Sequence, residues 1–223
     1  MSSVNIKEIL KEKRTWLNGV KSPNPEERAK AWEMIRLIVD TGNGNELRSY
    51  LGYLRSLLWH SLQGVRDDAW ENIDLYKKLL VKGVERGLMA NSDRIKWSAW
   101  SKVIDMVNMG IISKDQVIQY RHSYWRLLRS RWVTIRKKSW RLFVDLVEYG
   151  IFQNKDKERF KEFLRHKKAS VRIYAWEATI RLMRLGFISK DEVMSEIKYL
   201  TELTAYESNI KKRAEKVLKG LKS

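Results

Sequence analysis

The chain has 223 residues, 43% of them hydrophobic and 11% aromatic, which is ample for a packed core and excludes disorder as the main state. Lys and Arg number 45 against 27 Asp and Glu, and the resulting +18 attracts polyanions, among which nucleic acid is the commonest. With no Cys and no early apolar run of the signal type, the sequence points to an intracellular, cytoplasmic protein, and its apolar stretches are interrupted by charge too often to span a membrane.

Two prolines, Pro23 and Pro25, leave nearly the whole chain free to be helical. From there a phrase recurs: a β-branched and a basic residue, then a small residue and Trp at fixed spacing. A weak first copy runs from Glu27 to Trp32. Clear copies follow as Val65-Arg66-Asp67-Asp68-Ala69-Trp70, Ile95-Lys96-Trp97-Ser98-Ala99-Trp100, Ile135-Arg136-Lys137-Lys138-Ser139-Trp140 and Val171-Arg172-Ile173-Tyr174-Ala175-Trp176. A degraded copy, Ile210-Lys211-Lys212-Arg213-Ala214-Glu215, closes the series.

Apolar residues around each Trp fall at helical spacing, as in Ile135, Ser139, Trp140, Phe143, Val144 and Val147, so each phrase sits in a helix with one broad apolar face. Ten residues after Trp comes Gly42, Gly110, Gly150 or Gly186, where a left-handed residue would close that helix. Ser113 with Gln116 and Ser189 with Glu192 then read as capping boxes that open another helix, over about Asp115–Arg129 and Asp191–Leu203, with Lys155–Arg165 between. Each unit is a helical hairpin that ends in its Trp-bearing helix. Only 30 residues separate Trp70 from Trp100, so the first helix of that hairpin is expected to be missing or vestigial near residues 83–92, with a bend there. The chain, residues 1–223, reads as one continuous domain.

Helix pairs of this length, with Val-Arg-x-x-Ala opening the second helix, resemble HEAT and armadillo-like repeats over nearly the whole chain. The resemblance implies an all-α, right-handed α-solenoid of about six hairpins, in which stacking neighbours bury the apolar faces and the end units turn polar. Glu27 and Glu215 depart from the phrase as such caps would. The family mostly serves as scaffolds for proteins or nucleic acids, so function has to be sought on the surface. In the family an Asp commonly lies five residues before the Val and pairs with the repeat Arg. His60, Ala90, Ser130, His166 and Ala205 stand there instead.

The basic position of the phrase is filled six times, by Arg28, Arg66, Lys96, Arg136, Arg172 and Lys211. Two readings stand open. The column bonds carbonyls and carboxylates inside the stack, or, having lost its Asp, it faces a ligand's phosphates along the concave groove that second helices line in this family. Charge is also concentrated over residues 121–172, with 16 Lys and Arg against 5 Asp and Glu. There Arg126, Arg129 and Arg131 alternate with aromatics, Lys137 and Lys138 follow Arg136, and Arg165, Lys167 and Lys168 recur at the next turn, a composition suited to backbone contacts and stacking. Trp32, Trp70, Trp100, Trp140 and Trp176 are expected to pack, whereas Trp16, Trp59, Trp97, Trp125 and Trp132 are candidates for exposed stacking.

The three His residues are far apart, and no zinc spacing, phosphate loop or nucleophile motif is present, so no metal, cofactor or catalytic residue is expected. The expected function is non-catalytic binding of nucleic acid, duplex DNA in particular. An acidic protein segment in the same groove is the alternative, making the chain a scaffold. A further alternative follows from HEAT-like alkylpurine DNA glycosylases, which combine a Trp and an Asp one turn apart, a spacing matched by Trp70 and Asp74.

Overall fold

The computed structural model describes residues 5–207 and 209–223, and among these all regular structure is helical. The chain divides into two compact units, Met1–Ser113 and Lys114–Ser223. The division lies downstream of the shortened hairpin rather than at it.

In the first unit the Trp-bearing helices are Pro25–Asp40, Gln63–Glu71 continued by Ile73–Lys78, and Asp93–Ser101 continued by Val103–Asn108. Pro25 occupies the first turn, where its missing N–H costs nothing, and the Asn24 side chain accepts from the Glu26 amide at 2.9 Å. The breaks fall two residues after Trp70 and Trp100, at Asn72 and Lys102. Asn72 uses its side chain on the Asp68 carbonyl, the local competition that makes Asn a poor helix-interior residue. These helices pack in succession, and each also packs on the segment before it: Lys13–Gly19, Leu51–Leu57, and the 3-10 turn Val84–Met89. That 3-10 turn is all that forms of the first helix in the hairpin the sequence marks as shortened.

In the second unit the corresponding helices are Val133–Tyr149, Ala169–Arg184 and Asn209–Lys222, again packed in succession. The segments before them are Lys114–Tyr120 with Trp125–Leu128, Lys157–Leu164, and Lys190–Ser195 with Ile197–Thr201. The core here is aromatic: Trp140, Phe143, Phe152, Phe160, Phe163 and Phe187 are buried with ring centroids 4.9–6.2 Å apart. Contacts at such distances add to the burial of area itself.

Two details recur from hairpin to hairpin. The indole Nε1–H of Trp70, Trp100, Trp140 and Trp176 donates to the carbonyl of a Leu twelve residues earlier (Leu58, Leu88, Leu128, Leu164) at 2.8–3.0 Å. This bond ties the middle of each Trp helix to the end of the segment before it. Each Trp helix that reaches a left-handed closing residue stops in the same way: the next amide bonds a carbonyl five residues back, at 2.9–3.0 Å, as from Asn43 to Ile38 and from Ile151 to Leu146. Gly42, Gly110, Gly150 and Gly186 take φ of 73° to 88° there, as the sequence predicts. In the second hairpin the same position is Leu80, held at φ 57°.

Candidate nucleic-acid interface

The basic column is largely internal. Arg28, Arg66, Lys96, Arg136 and Arg172 are all no more than 9% exposed, whereas Lys211 is exposed. Each of the four arginines donates to the carbonyl six residues before it: Ser22 at 2.9 Å, His60 at 2.7 Å, Ser130 at 2.8 Å and His166 at 2.8 Å. That carbonyl lies in the turn leading into the arginine's own helix. The side chains of the same four turn residues each accept the amide two residues on, at 3.0–3.3 Å. Ser and His thus close the turn, and the backbone carbonyl of the same residue receives the guanidinium.

Three of these arginines also reach the next Trp helix, at the residue two positions beyond its own basic residue. Arg28 bonds Asp68 at 2.7 Å, Arg66 bonds Ser98 at 2.8 Å, and the Arg136 guanidinium lies 5.9 Å from the Tyr174 ring. Arg172 instead bonds the Tyr199 carbonyl at 3.2 Å and Glu202 at 2.9 Å. Arg66, Arg136 and Arg172 thus have their guanidinium groups bonded within the fold, because an Arg at a helix start can satisfy carbonyls as well as carboxylates, and Lys96 is buried with them, so burial sets these four apart from the exposed cations of the candidate set.

The rest of the candidate set lies outside. Arg126, Arg129, Arg131, Lys137, Lys138, Arg165, Lys167 and Lys168 are all exposed, and all belong to the second unit. That unit carries 27 Lys and Arg against 13 Asp and Glu, most of the chain's excess charge. The off-column tryptophans divide. Trp125 is buried against Phe143, Phe152 and Phe163, Trp16, Trp59 and Trp97 are half-buried, and Trp132 is 37% exposed with the Arg131 guanidinium 4.8 Å from its ring.

Two concavities in this unit have cationic rims. One, of about 430 Å³, runs between the Val133–Tyr149, Ala169–Arg184 and Asn209–Lys222 helices. Its floor is Trp140, Val144 and Ala178, and Lys137, Arg141, Arg181 and Arg213 surround it. Arg213 is paired with Glu177 and lies 4.5 Å from the Tyr174 ring, and Arg181 is 3.6 Å from Asp145. Sequence reading passed over Arg181, Arg213 and Tyr174, although Tyr174 stands inside the repeated phrase. The other concavity, of about 400 Å³, lies at the turn between the Lys157–Leu164 and Ala169–Arg184 helices, with Arg129 on its wall beside Arg159, Glu162, Phe163, Arg165, His166, Lys167 and Lys168.

The Trp70–Asp74 pair forms no base-binding pocket. Trp70 is 2% exposed with its N–H on the Leu58 carbonyl at 3.0 Å. Asp74 is clamped by Arg36 at 2.6 and 2.9 Å, and those bonds hold its carboxyl below the usual range. Among the described residues no group of three His, Cys, Asp or Glu is placed to hold a metal, and no helix is long and apolar enough to cross a membrane.

No protein-family model matches the sequence, and no curated protein does. Two crystal structures of engineered proteins are similar to it at low identity. One aligns over 95% of this chain and 96% of its own, with 16% identity and a TM-score of 0.42. The other aligns over all of this chain and 56% of its own, with 17% identity and a TM-score of 0.40.

Proposed function

We propose that the chain is a non-catalytic α-solenoid of HEAT-like hairpins that binds nucleic acid through its phosphates, duplex DNA in particular, on the exposed cations of its second unit. The observation that carries this reading is the separation of two kinds of cation. The column residues other than Lys211 are buried in the fold, and the exposed candidates, Arg126, Arg129, Arg131, Lys137, Lys138, Arg165, Lys167, Lys168 and Lys211, crowd the more basic unit. Contacts of this kind release counterions and do not read bases.

Binding of a labelled duplex, followed by anisotropy, is expected to weaken by about three orders of magnitude or more between 50 and 200 mM salt. Replacing Lys137, Lys138, Lys167 and Lys168 by Gln is expected to lower the salt slope by roughly 0.9 for each Lys that touches a phosphate. Absence of binding at low salt, or an unchanged slope in the variant, overturns the reading.

The groove floored by Trp140, Val144 and Ala178 favours a second reading, a scaffold that holds an acidic amphipathic segment with its apolar side down. A stoichiometric protein partner that survives nuclease treatment and is lost on Lys137→Glu with Arg141→Glu would support it.

A further inference from the structure

The turn between the Lys157–Leu164 and Ala169–Arg184 helices sets a histidine, His166, among four of the cations of the nucleic-acid reading, Arg129, Arg165, Lys167 and Lys168. Arg129, Lys167 and Lys168 line its pocket, and no ion pair involves them among the described residues. Arg159 and Arg165 complete the rim, the first paired with Glu162 and the second with Glu196 at 3.0 Å. His166 is half-buried among them, its ring parallel to that of Phe163 at 6.1 Å. Its Nδ1 accepts the Lys168 amide at 3.1 Å, so the neutral ring carries its proton on Nε2 and has one donor to offer. The helix that starts here spans 16 residues, and its first-turn amides point outward from the helix start.

A compact oxyanion with several acceptors matches this set better than any flat or extended ligand. We propose that the pocket of Arg129, Arg165, His166, Lys167 and Lys168 is a phosphate-binding site, and that phosphate binding and protonation of His166 favour each other. The inference rests on the nucleic-acid reading for the source of the phosphate, a backbone diester. Free phosphate would make the same contacts.

The coupling has a plain electrostatic origin. Burial first, and then the charges of Arg129 and Lys168 and of Arg172 beneath the turn, hold His166 below its ordinary pKa. Glu162 lines the pocket together with the cations and is engaged by Arg159, and Glu196 beside it is engaged by Arg165. An anion between the cations removes part of the repulsion an imidazolium would meet and accepts its Nε2–H, while the loss of the Lys168 amide's bond on protonation at Nδ1 is the same with and without the anion. The ring's proton affinity then rises with occupancy, and by reciprocity occupancy tightens as pH falls. The pocket's volume of about 400 Å³ leaves room for the ester groups on either side of a phosphate.

The chain's three histidines allow a direct test by NMR titration of the imidazole signals on the full chain at low ionic strength. His60 makes the same turn bond, from its Nδ1 to the Leu62 amide at 3.0 Å, and serves with His122 as an internal reference. Inorganic phosphate is expected to raise the His166 midpoint by about half a pH unit or more relative to chloride at matched ionic strength, leaving His60 unmoved. A bound duplex is expected to do the same. Arg129→Gln with Lys168→Gln is expected to raise the midpoint of the free protein and to abolish the response to phosphate.

A His166 midpoint that phosphate and chloride move equally overturns the site. A response to phosphate but none to a duplex shown by anisotropy to be bound upholds the site and overturns its diester source. A duplex that binds while neither ligand moves His166 keeps the nucleic-acid reading and overturns the pocket. A phosphate response in a chain that binds no duplex upholds the pocket and overturns the nucleic-acid reading.

Discussion

Arg66 is 3% exposed, with the His60 carbonyl at 2.7 Å and the Ser98 hydroxyl at 2.8 Å taking up its guanidinium. Burial pushes its pKa down and the neighbouring Asp67 opposes that shift, so the cation is held by geometry rather than by a counter-charge in contact. Hydrogen bonds to a charged group contribute about 1.5–3 kcal/mol each, and removing one partner strands the other. Arg66→Met is therefore expected to cost about 2–3 kcal/mol in urea unfolding, while Lys138→Met on the exposed face stays within about 0.5 kcal/mol. Equal effects would mean the column is not a structural device. Leu80 gives the opposite case, since it holds φ 57° at the closing position that four other helices fill with Gly, and its side chain is 75% exposed. A left-handed L-residue costs about 1–2 kcal/mol, part of which Gly returns as chain entropy in the unfolded state. Leu80→Gly is expected to stabilise the chain by about 0.5–1 kcal/mol, and a lower unfolding midpoint would contradict that. Sequence could place Arg66 and its equivalents on one helical face but could not say what they bond. The Ser or His that closes the turn is visible in a sequence, whereas the carbonyl that receives the guanidinium belongs to every residue and leaves no mark.

At the scale of elements the sequence was legible where a residue type is forced by backbone geometry. Gly42, Gly110, Gly150 and Gly186 stop their helices where expected, and Ser189 and Glu192 close a reciprocal cap with bonds of 3.1 and 2.9 Å. The short interval between Trp70 and Trp100 announced the element that shrinks to the Val84–Met89 turn. The breaks at Asn72 and Lys102 were not legible, because Lys is an ordinary helix-interior residue and neither position interrupts the apolar spacing. The Ser189 cap has a pH signature. The Ser189 amide first, then Lys157 and Lys161, bring the Glu192 carboxyl from 4.5 down to about 2. A carboxyl depressed in the folded state adds stability in full above its unfolded pKa and loses it as pH falls towards the folded one. Glu192→Gln is accordingly expected to unfold more easily than the parent at pH 7. The difference should shrink between about pH 4.5 and pH 2, as read from thermal midpoints across that range. A pH-independent difference would assign the loss to the cap hydrogen bonds alone.

For the whole molecule, charge and architecture pull in different directions. The Lys114–Ser223 unit holds 27 Lys and Arg against 13 Asp and Glu, and like charges that help capture a polyanion also repel each other in the compact state. Raising salt from about 0.01 to 0.15 M shortens the screening length from about 30 to 8 Å. The thermal midpoint of the free protein is therefore expected to rise over the same salt interval in which the proposed duplex binding is expected to weaken. A midpoint that falls with salt would show that ion pairs such as Arg121 with Asp156 outweigh the repulsion. Composition shows the excess of basic charge, but not its division into buried and exposed cations, which depends on which turn each side chain can reach. The bonds from the Trp70, Trp100, Trp140 and Trp176 indoles to their Leu carbonyls have a further use. Each is a buried, hydrogen-bonded proton at the joint between a Trp helix and the segment before it, and is expected to exchange slowly, when that joint opens. Deuterium uptake at the four indoles would time the opening of each hairpin separately within a single unmodified protein.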